Sequence, residues 1–542
     1  MVATTRGKLR IATGLGGAPA LSPIEPIEDD VHSLHVTDVD ADGRLDMVCV
    51  APGERMNLRL RLGRGDGTFG PWRIATVDNL RDVFPTRLPG GAPALATIEG
   101  PNRRVGVHRL DADGERATLM WWAFGDAGAT RTPPFAVGDV DQDGDQDLVL
   151  FPRDAAQMVL YEWRDDTFVR RTLPSLAGVE SVAIGDVDKD GKADLVVASA
   201  EEDVVAWRPG SQPLDRFPEQ LRCVDKPVAV AVDPKGGVLA LGRDKRRDAH
   251  LYRLAPLAEP TLLVELGRLP SDPARLLAAD VGDRDGLEVA FVVPGEGLRT
   301  VTLGGGKQAE ETVAGFTRKM EDGALLLSRH DGSPALVAVR ERFVRRFRFD
   351  AQGQVRVLAQ DNGPDGAQEL TLACELGDGR WLYYDKKSDK LLRTTPGEPV
   401  ATFEVPSLGF THLIAHEGSA LLLGPRGVLR VPFGPGPALR QVATHEPPTE
   451  RTFYWHGRSG DFDGDGTTDL VVVDRRLPGV QIVAGVPDGL ARALAVPVFE
   501  TPPSESPDSE PRELATGDLD GDGLCDFALI AHDRILVYPQ DK

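Results

Sequence analysis

Short apolar runs recur along the chain, and each follows a turn. Met47-Val-Cys-Val comes directly after an acidic turn ending at Asp46, and Leu470-Val-Val-Val after one ending at Asp469. Apolar runs also follow Asp147, Asp194 and Asp526. Short runs bounded by turn residues predict strands. Weaker turns lead into the same kind of run at Pro89, Asp233, Asp331, Gly377 and Glu417. A second pattern follows each turn. Asn57-Leu-Arg-Leu-Arg-Leu, Arg104-Val-Gly-Val-His-Arg and Met158-Val-Leu-Tyr-Glu-Trp open a series that continues at Asp203, His250, Leu298, Phe343, Lys390, Gly427, Gly479 and Arg534. Alternation in several of these marks strands with two unlike faces.

The turns are periodic. From Asp139 to Asp186 the step is 186 − 139 = 47 residues, and the same step lands near Asp233 and then Asp280. Repeats start near 38, 89, 139, 186, 233, 280, 331, 377, 417, 461 and 518, eleven in all. Fixed-period self-similarity is the mark of a repeat architecture. Residues 38–542 therefore read as a continuous array, arranged as one large ring or two rings in series. The N-terminus fits no complete repeat. Lys8-Leu-Arg-Ile-Ala and Ala20-Leu-Ser-Pro-Ile read as a third and fourth strand without the first two, and the last repeat ends after its third strand at Tyr538. Residues 1–37 are expected to supply strands that close the ring, since closure removes sheet edges. Thr501–Pro511, rich in Pro, Ser and Glu, reads as a loop inside the last repeat. Asp111-Ala-Asp-Gly114 falls at the place of a hairpin and reads as a turn.

Five of the turns share one chemistry. Asp38, Asp40, Asp42 and Asp46 stand at positions one, three, five and nine, with Gly43 at six. The same spacing is found in Asp139, Asp141, Asp143, Asp147; in Asp186, Asp188, Asp190, Asp194; in Asp461, Asp463, Asp465, Asp469; and in Asp518, Asp520, Asp522, Asp526. Position seven is Arg44, Asp145, Lys192, Thr467 or Leu524, so only its backbone carbonyl is a common ligand. Calcium takes about six to eight oxygens at roughly 2.3–2.6 Å, and a tight loop can wrap them around it. Four converging carboxylates with no cation would repel one another. The chain is thus expected to bind Ca2+, about five ions at one per loop. An EF-hand opens in the same way but needs Glu at position twelve. Here that position is Cys49, Leu150, Val197, Val472 or Leu529, inside a strand, and the EF-hand reading fails. The Asp280 loop keeps Asp283, Asp285 and Glu288 but is irregular.

At these residues the chain resembles the FG-GAP/VCBS repeats of integrin-alpha-type β-propellers. Their blades carry an Asp-x-Asp-x-Asp-Gly-x-x-Asp calcium loop between the first two strands. Leu62-Gly-Arg-Gly-Asp-Gly-Thr-Phe69-Gly-Pro71 resembles the companion hairpin between the third and fourth strands. The resemblance implies an all-β propeller of four-stranded repeats and bound calcium. It implies no single activity, because one fold hosts many functions.

Composition narrows the function classes. Gly 59 and Pro 42 suit many turns, and aromatics at 6% leave aliphatic residues to form the core. Net charge is 62 − 84 = −22, which argues against nucleic acid or an anionic membrane as partner. No apolar run approaches the ~20 residues of a spanning helix. Four cysteines are too few for a disulfide scaffold. The first residues lack the apolar core of a signal peptide, as expected either of a protein that is not exported or of a chain from which a signal has been removed. Calcium loops of this kind favour an extracellular, periplasmic or cell-surface setting, where such sites work at millimolar calcium. Arg64-Gly65-Asp66 reads as an ordinary turn, Trp121-Trp122 as strand residues of which one is core, and Arg340–Arg348 as a strand face that is solvated or meets acids. No nucleophile elbow, phosphate-binding loop or zinc spacing is present. Two readings remain. The first is a calcium-stabilised binding or adhesion module for a protein or carbohydrate ligand. The second is a calcium-dependent carbohydrate-active enzyme of lyase type, for which the sequence offers no clustered base.

Overall fold

A computed structural model of the chain describes all residues except 1, 6–7, 14–19, 22–24, 27–30, 52–55, 101–103, 115–116, 126–128, 274, 283–285, 305–308, 318–319, 353, 378, 448, 450–451, 475, 477–478, 488, 499–512, 532–533 and 541–542. The described elements are strands, apart from one short 3-10 turn at Asp322–Ala324. Most strands form four-stranded antiparallel sheets in which consecutive strands are neighbours. Each repeat start read from the sequence lies at the turn between the first and second strands of a sheet. Asp139, for example, falls between Phe135–Gly138 and Asp147–Leu150, and Asp331 between Leu325–His330 and Ser333–Arg340. The sheets are named below by these turn residues.

Two compact units are present, and they are not sequential halves. Met1–Gly128 and Arg426–Lys542 form the first, and Ala129–Pro425 the second. In the first unit the fourth strand of the 89 sheet is Gly436–His445, which pairs antiparallel with Arg104–Gly114 across more than three hundred residues of chain. A long-range strand thus takes the place that a following strand holds elsewhere. Asp111 and Gly114 lie inside this pairing, opposite Ala438 and Gly436. The expected turn at 111–114 is therefore strand, and Asp111 is tied to Arg109 and Arg440 at 2.5 and 2.8 Å. His32–Thr37 is the first strand of the 38 sheet, while Val2–Thr5, Lys8–Thr13, Ala20–Leu21 and Glu25–Pro26 pair with one another. The last sheet, 513–538, has three strands. The loop expected at 501–511 lies outside the described residues.

The cores show why the central strands are apolar on both faces. Asp46–Val50, Asp194–Ser199 and Asp469–Asp474 are buried throughout. Each core fills the space between two neighbouring sheets, as it must when both faces of a sheet are covered. In the second unit one core joins the 139 and 186 sheets through Val149, Leu160, Val182 and Val197. Others join 186 to 233, 233 to 280, 280 to 331, and 331 to 377. The hairpin His412–His416 and Ser419–Leu423 follows. It packs back on the 139 sheet: the His416 ring meets Trp163 edge-on at 5.0 Å, and His412 meets Phe135 at 4.7 Å. The 139 to 417 repeats thus close a circuit of packing neighbours within the second unit. In the first unit successive cores join 38 to 89, 89 to 461, and 461 to 518. Four-stranded sheets packed face to face in this way are the blades of a β-propeller.

First strands crowd together near the centre of the second unit. A Cβ on Gly138 would stand 2.8 Å from the Ile184 side chain of the next blade, so a larger residue just before the 139 loop would force that side chain to shift.

The four cysteines are free thiols. Burial pushes the Cys49 thiol up to about 12. Trp121 and Trp122 are both buried, because Leu119–Ala123 is paired on both sides, by Trp72–Ala75 and Gly427–Pro432. The expectation that only one of them is core is corrected accordingly. No helix among the described residues is long and apolar enough to cross a membrane.

Candidate metal centres

The five acidic loops adopt one conformation, and their hydrogen bonds explain the spacing. Position nine opens the second strand and is buried in every loop. Its Oδ2 accepts the backbone N–H of position two: Val39 at 2.8 Å, Val140 at 3.2 Å, Val187 at 2.6 Å, Phe462 at 2.9 Å and Leu519 at 2.7 Å. Its Oδ1 accepts an N–H at or beyond the end of the third strand, from Gly63, Trp163, Gly210, Gly485 or Gln540, at 2.7–3.0 Å. This aspartate is a staple joining loop, second strand and third strand.

The other three carboxylates turn inward, and each accepts a backbone N–H of the loop. Position one accepts the N–H of the glycine at six, as in Asp139 from Gly144 at 3.2 Å. Position three accepts from five and position five from seven, as in Asp188 from Asp190 at 3.2 Å and Asp190 from Lys192 at 2.9 Å. The chain can turn this tightly because positions four and six are both left-handed. Position four has φ of 66° at Ala41, 68° at Gln142 and 67° at Lys189, where side chains rarely go. Gln142 Nε2 donates to the Ala193 carbonyl and Lys189 Nζ to the Pro234 carbonyl, so each reaches the next blade.

Carboxylate oxygens converge in each loop. Ligand atoms lie within 4.8 Å of one another in Asp38, Asp40, Asp42; in Asp139, Asp141, Asp147; in Asp186, Asp188, Asp194; in Asp461, Asp463, Asp465; and in Asp518, Asp520, Asp526. The loops divide at position one. In Asp38, Asp139 and Asp186 the Oδ1 atom is buried with no hydrogen-bond partner. In the other two loops position four is glycine, and its N–H donates to that oxygen, Gly464 to Asp461 and Gly521 to Asp518, each at 2.7 Å. A buried carboxylate oxygen without a donor is costly. A hard cation bound by oxygens would satisfy it, and the all-oxygen donor sets fit calcium.

Electrostatics point the same way. Burial pushes the Asp147 carboxyl up to about 7, with Asp141 adding to the rise. Burial also raises Asp40, Asp46, Asp141, Asp194 and Asp469, and neighbouring loop carboxylates add to it. Two groups go the other way. The Arg44 side chain holds Asp42 low, and the N–H of Gln540 holds Asp526 low. Position seven contributes its N–H to the loop, and the exposed side chains of Asp145 and Lys192 are not part of the convergent sets. Arg44 pairs with Asp42 through Nε at 2.7 Å, an internal cation beside that site.

Two degenerate loops show what replaces the acids. Asp233 Oδ2 meets Arg253 at 2.5 Å, so a guanidinium stands beside the buried carboxylate. In the 280 loop Glu288 takes the staple role and accepts the Val281 N–H at 2.9 Å, while Asp283 and Asp285 lie outside the described residues. Arg64-Gly65-Asp66 is a turn in which Asp66 accepts from the N–H and hydroxyl of Thr68. In the Arg340–Arg348 stretch Arg346 pairs with Glu375 at 2.9 Å.

Fold and loops together define a class, a β-propeller whose blades carry acidic metal-type loops. Residues 139–197 match the family model of an FG-GAP-like repeat, which spans the 139 and 186 loops. No curated protein matches the chain. Among solved structures the chain is similar to a streptogramin B lyase, with a TM-score of 0.40 and 11% identity over 60% of this chain and 98% of that one. It is similar to the Swd1 β-propeller domain of Myceliophteria thermophila, with a TM-score of 0.38 and 12% identity over 57% and 99%. It is also similar to YCF48 bound to D1 peptide, with a TM-score of 0.37 and 14% identity over 58% and 95%.

Proposed function

We propose that the chain is a calcium-stabilised β-propeller that serves as a binding module for a protein or carbohydrate ligand outside the cytoplasm, in the extracellular space, the periplasm or at a cell surface. The observation that carries this reading is the buried, partnerless Oδ1 of Asp38, Asp139 and Asp186. Each stands among convergent carboxylates, where a cation would satisfy it. Calcium would link position one to position three and so brace the turn between the first two strands. A ligand that binds only the folded state adds stability by mass action. The role of the ion in this reading is structural, and the blades present the loops that meet the partner. The test is a melting curve in millimolar calcium against one in chelator. Calcium raises the melting temperature and magnesium substitutes poorly, because it prefers a tighter octahedral shell. Identical curves would contradict the reading.

A further inference from the structure

At the end of the second unit away from its acidic loops, the chain leaves a funnel of about 1560 Å³ whose wall mixes apolar and charged residues. The starts of the first strands and the turns between second and third strands line it, from the 139, 186, 233, 280 and 417 repeats among others. Its charges are sorted. Most wall carboxylates already have partners. Glu180 meets Arg153 at 2.5 Å, and Asp272 meets Arg243 at 2.5 Å. Asp225 meets His250 at 2.6 Å and Tyr252 at 2.9 Å. Glu321 pairs with Lys386. Asp244 accepts the N–H groups of Arg246 and Asp248 at 2.8 and 2.9 Å, which fixes the turn that carries Lys245, Arg246 and Arg247. Those three cations, with Arg131 and Lys226, are exposed in the wall and make no ion pair with a described residue. Beside them Val224 is 66% exposed.

We propose that this funnel binds an acidic, extended peptide segment of a partner protein. The inference rests on the binding-module reading and names the site and the partner class. The free cations pair with carboxylates, and Val224 takes an apolar side chain between them. The volume exceeds the roughly 300–1,000 Å³ of a small-molecule pocket. A sugar is disfavoured because the wall's aromatic rings, Phe135 and His412, pack edge-on against each other instead of offering a flat face. Long polyanions are disfavoured because the whole chain carries a net charge of −22, and repulsion grows with each added charge.

The test is fluorescence anisotropy with a short fluorescein-labelled Glu/Leu peptide, a Lys/Leu peptide and a sulfated oligosaccharide. The acidic peptide binds, the basic one does not, and added salt weakens binding through screening. The double variant Lys245→Glu/Arg246→Glu weakens binding about tenfold or more, the loss of roughly 1.4 kcal/mol. Lys226→Glu weakens it from an independent position, and Arg170→Glu on the outer strand leaves it unchanged. Melting curves of all variants match the parent. Equal affinity in the funnel variants, or binding of the oligosaccharide but not the acidic peptide, would overturn the proposal. Failure here alongside a calcium-dependent melting temperature leaves the module reading standing, whereas peptide binding with calcium-independent melting removes calcium alone.

Discussion

At the scale of single residues, the four motif aspartates are not equivalent. Positions one and three lie in every convergent set; position nine, the structural acceptor, joins them in the 139, 186 and 518 loops, and position five does so in the 38 and 461 loops. Asp194→Ala removes the acceptor of the Val187 and Gly210 N–H groups. Buried groups left unpaired cost about 1–3 kcal/mol each, so stability falls by roughly 2–4 kcal/mol even in chelator. Asp188→Ala, exposed at position three and part of the convergent set, leaves chelator-state stability nearly unchanged and removes a calcium effect. Denaturant unfolding with and without calcium separates the two. The motif was legible in the sequence as carboxylate spacing, but this division of labour was not. Nothing in Asp-x-Asp-x-Asp-Gly says that the last acid meets a backbone N–H donated sixteen residues later. The choice of residue at position four is visible in the sequence, but its consequence for the position-one oxygen is not. Glycine at 464 and 521 donates to the position-one oxygen, whereas that oxygen has no donor in the loops with Ala41, Gln142 and Lys189. The 139 and 186 loops are therefore expected to bind calcium more tightly than the 461 and 518 loops, which must give up a hydrogen bond. In a calcium titration by calorimetry, Asp139→Ala removes a tight site and Asp461→Ala a weak one. The reverse order would contradict the ranking.

At the scale of elements, the order of turn, second strand and third strand was readable throughout, because each is a short period-two or fully apolar run. Which strand completes which sheet was not. The Gly436–His445 strand returns to the 89 sheet, and no local pattern marks a partner so distant in sequence. The closing contact of the second unit is similarly hidden, since His412 and His416 look like scattered histidines. Trp163 is buried against Phe168 and His416 at that seam, at 4.9 and 5.0 Å. Trp163→Ala is expected to cost ~3–5 kcal/mol in denaturant unfolding, as large-to-small core changes do. His412 sits on the same seam, its Nδ1 2.9 Å from the Thr411 hydroxyl. Burial, and then Arg275, lower its pKa to about 3 from the ordinary 6.5 of an imidazole. The unfolded chain therefore takes up this proton first. The stability tied to neutral His412 is complete above pH 6.5 and declines as pH falls toward 3. Each pH unit inside that window costs about 1.4 kcal/mol. The raised loop carboxylates, Asp147 above all, titrate in the upper part of this window with the opposite sign, so the test is a difference: the pH slope of stability against denaturant in the parent should exceed that of His412→Gln by about 1.4 kcal/mol per pH unit. An unchanged slope would contradict the assignment.

At the scale of the whole molecule, the chain is an acidic all-β repeat protein whose charge is concentrated in its turns. Fold class was legible because each blade repeats the same turn and the same apolar strand. The two-unit division was not, because the boundaries near 128 and 425 carry no change of composition. Much of the net charge of −22 lies in the five loops, each with four motif aspartates, and five divalent ions would offset ten of those charges. The most direct measurement is the calcium count by native mass spectrometry. About five ions are expected for the parent protein, given one oxygen-lined loop per ion, and one fewer for Asp463→Ala. A count of zero or one would show that the acidic loops are turns held by their own hydrogen bonds.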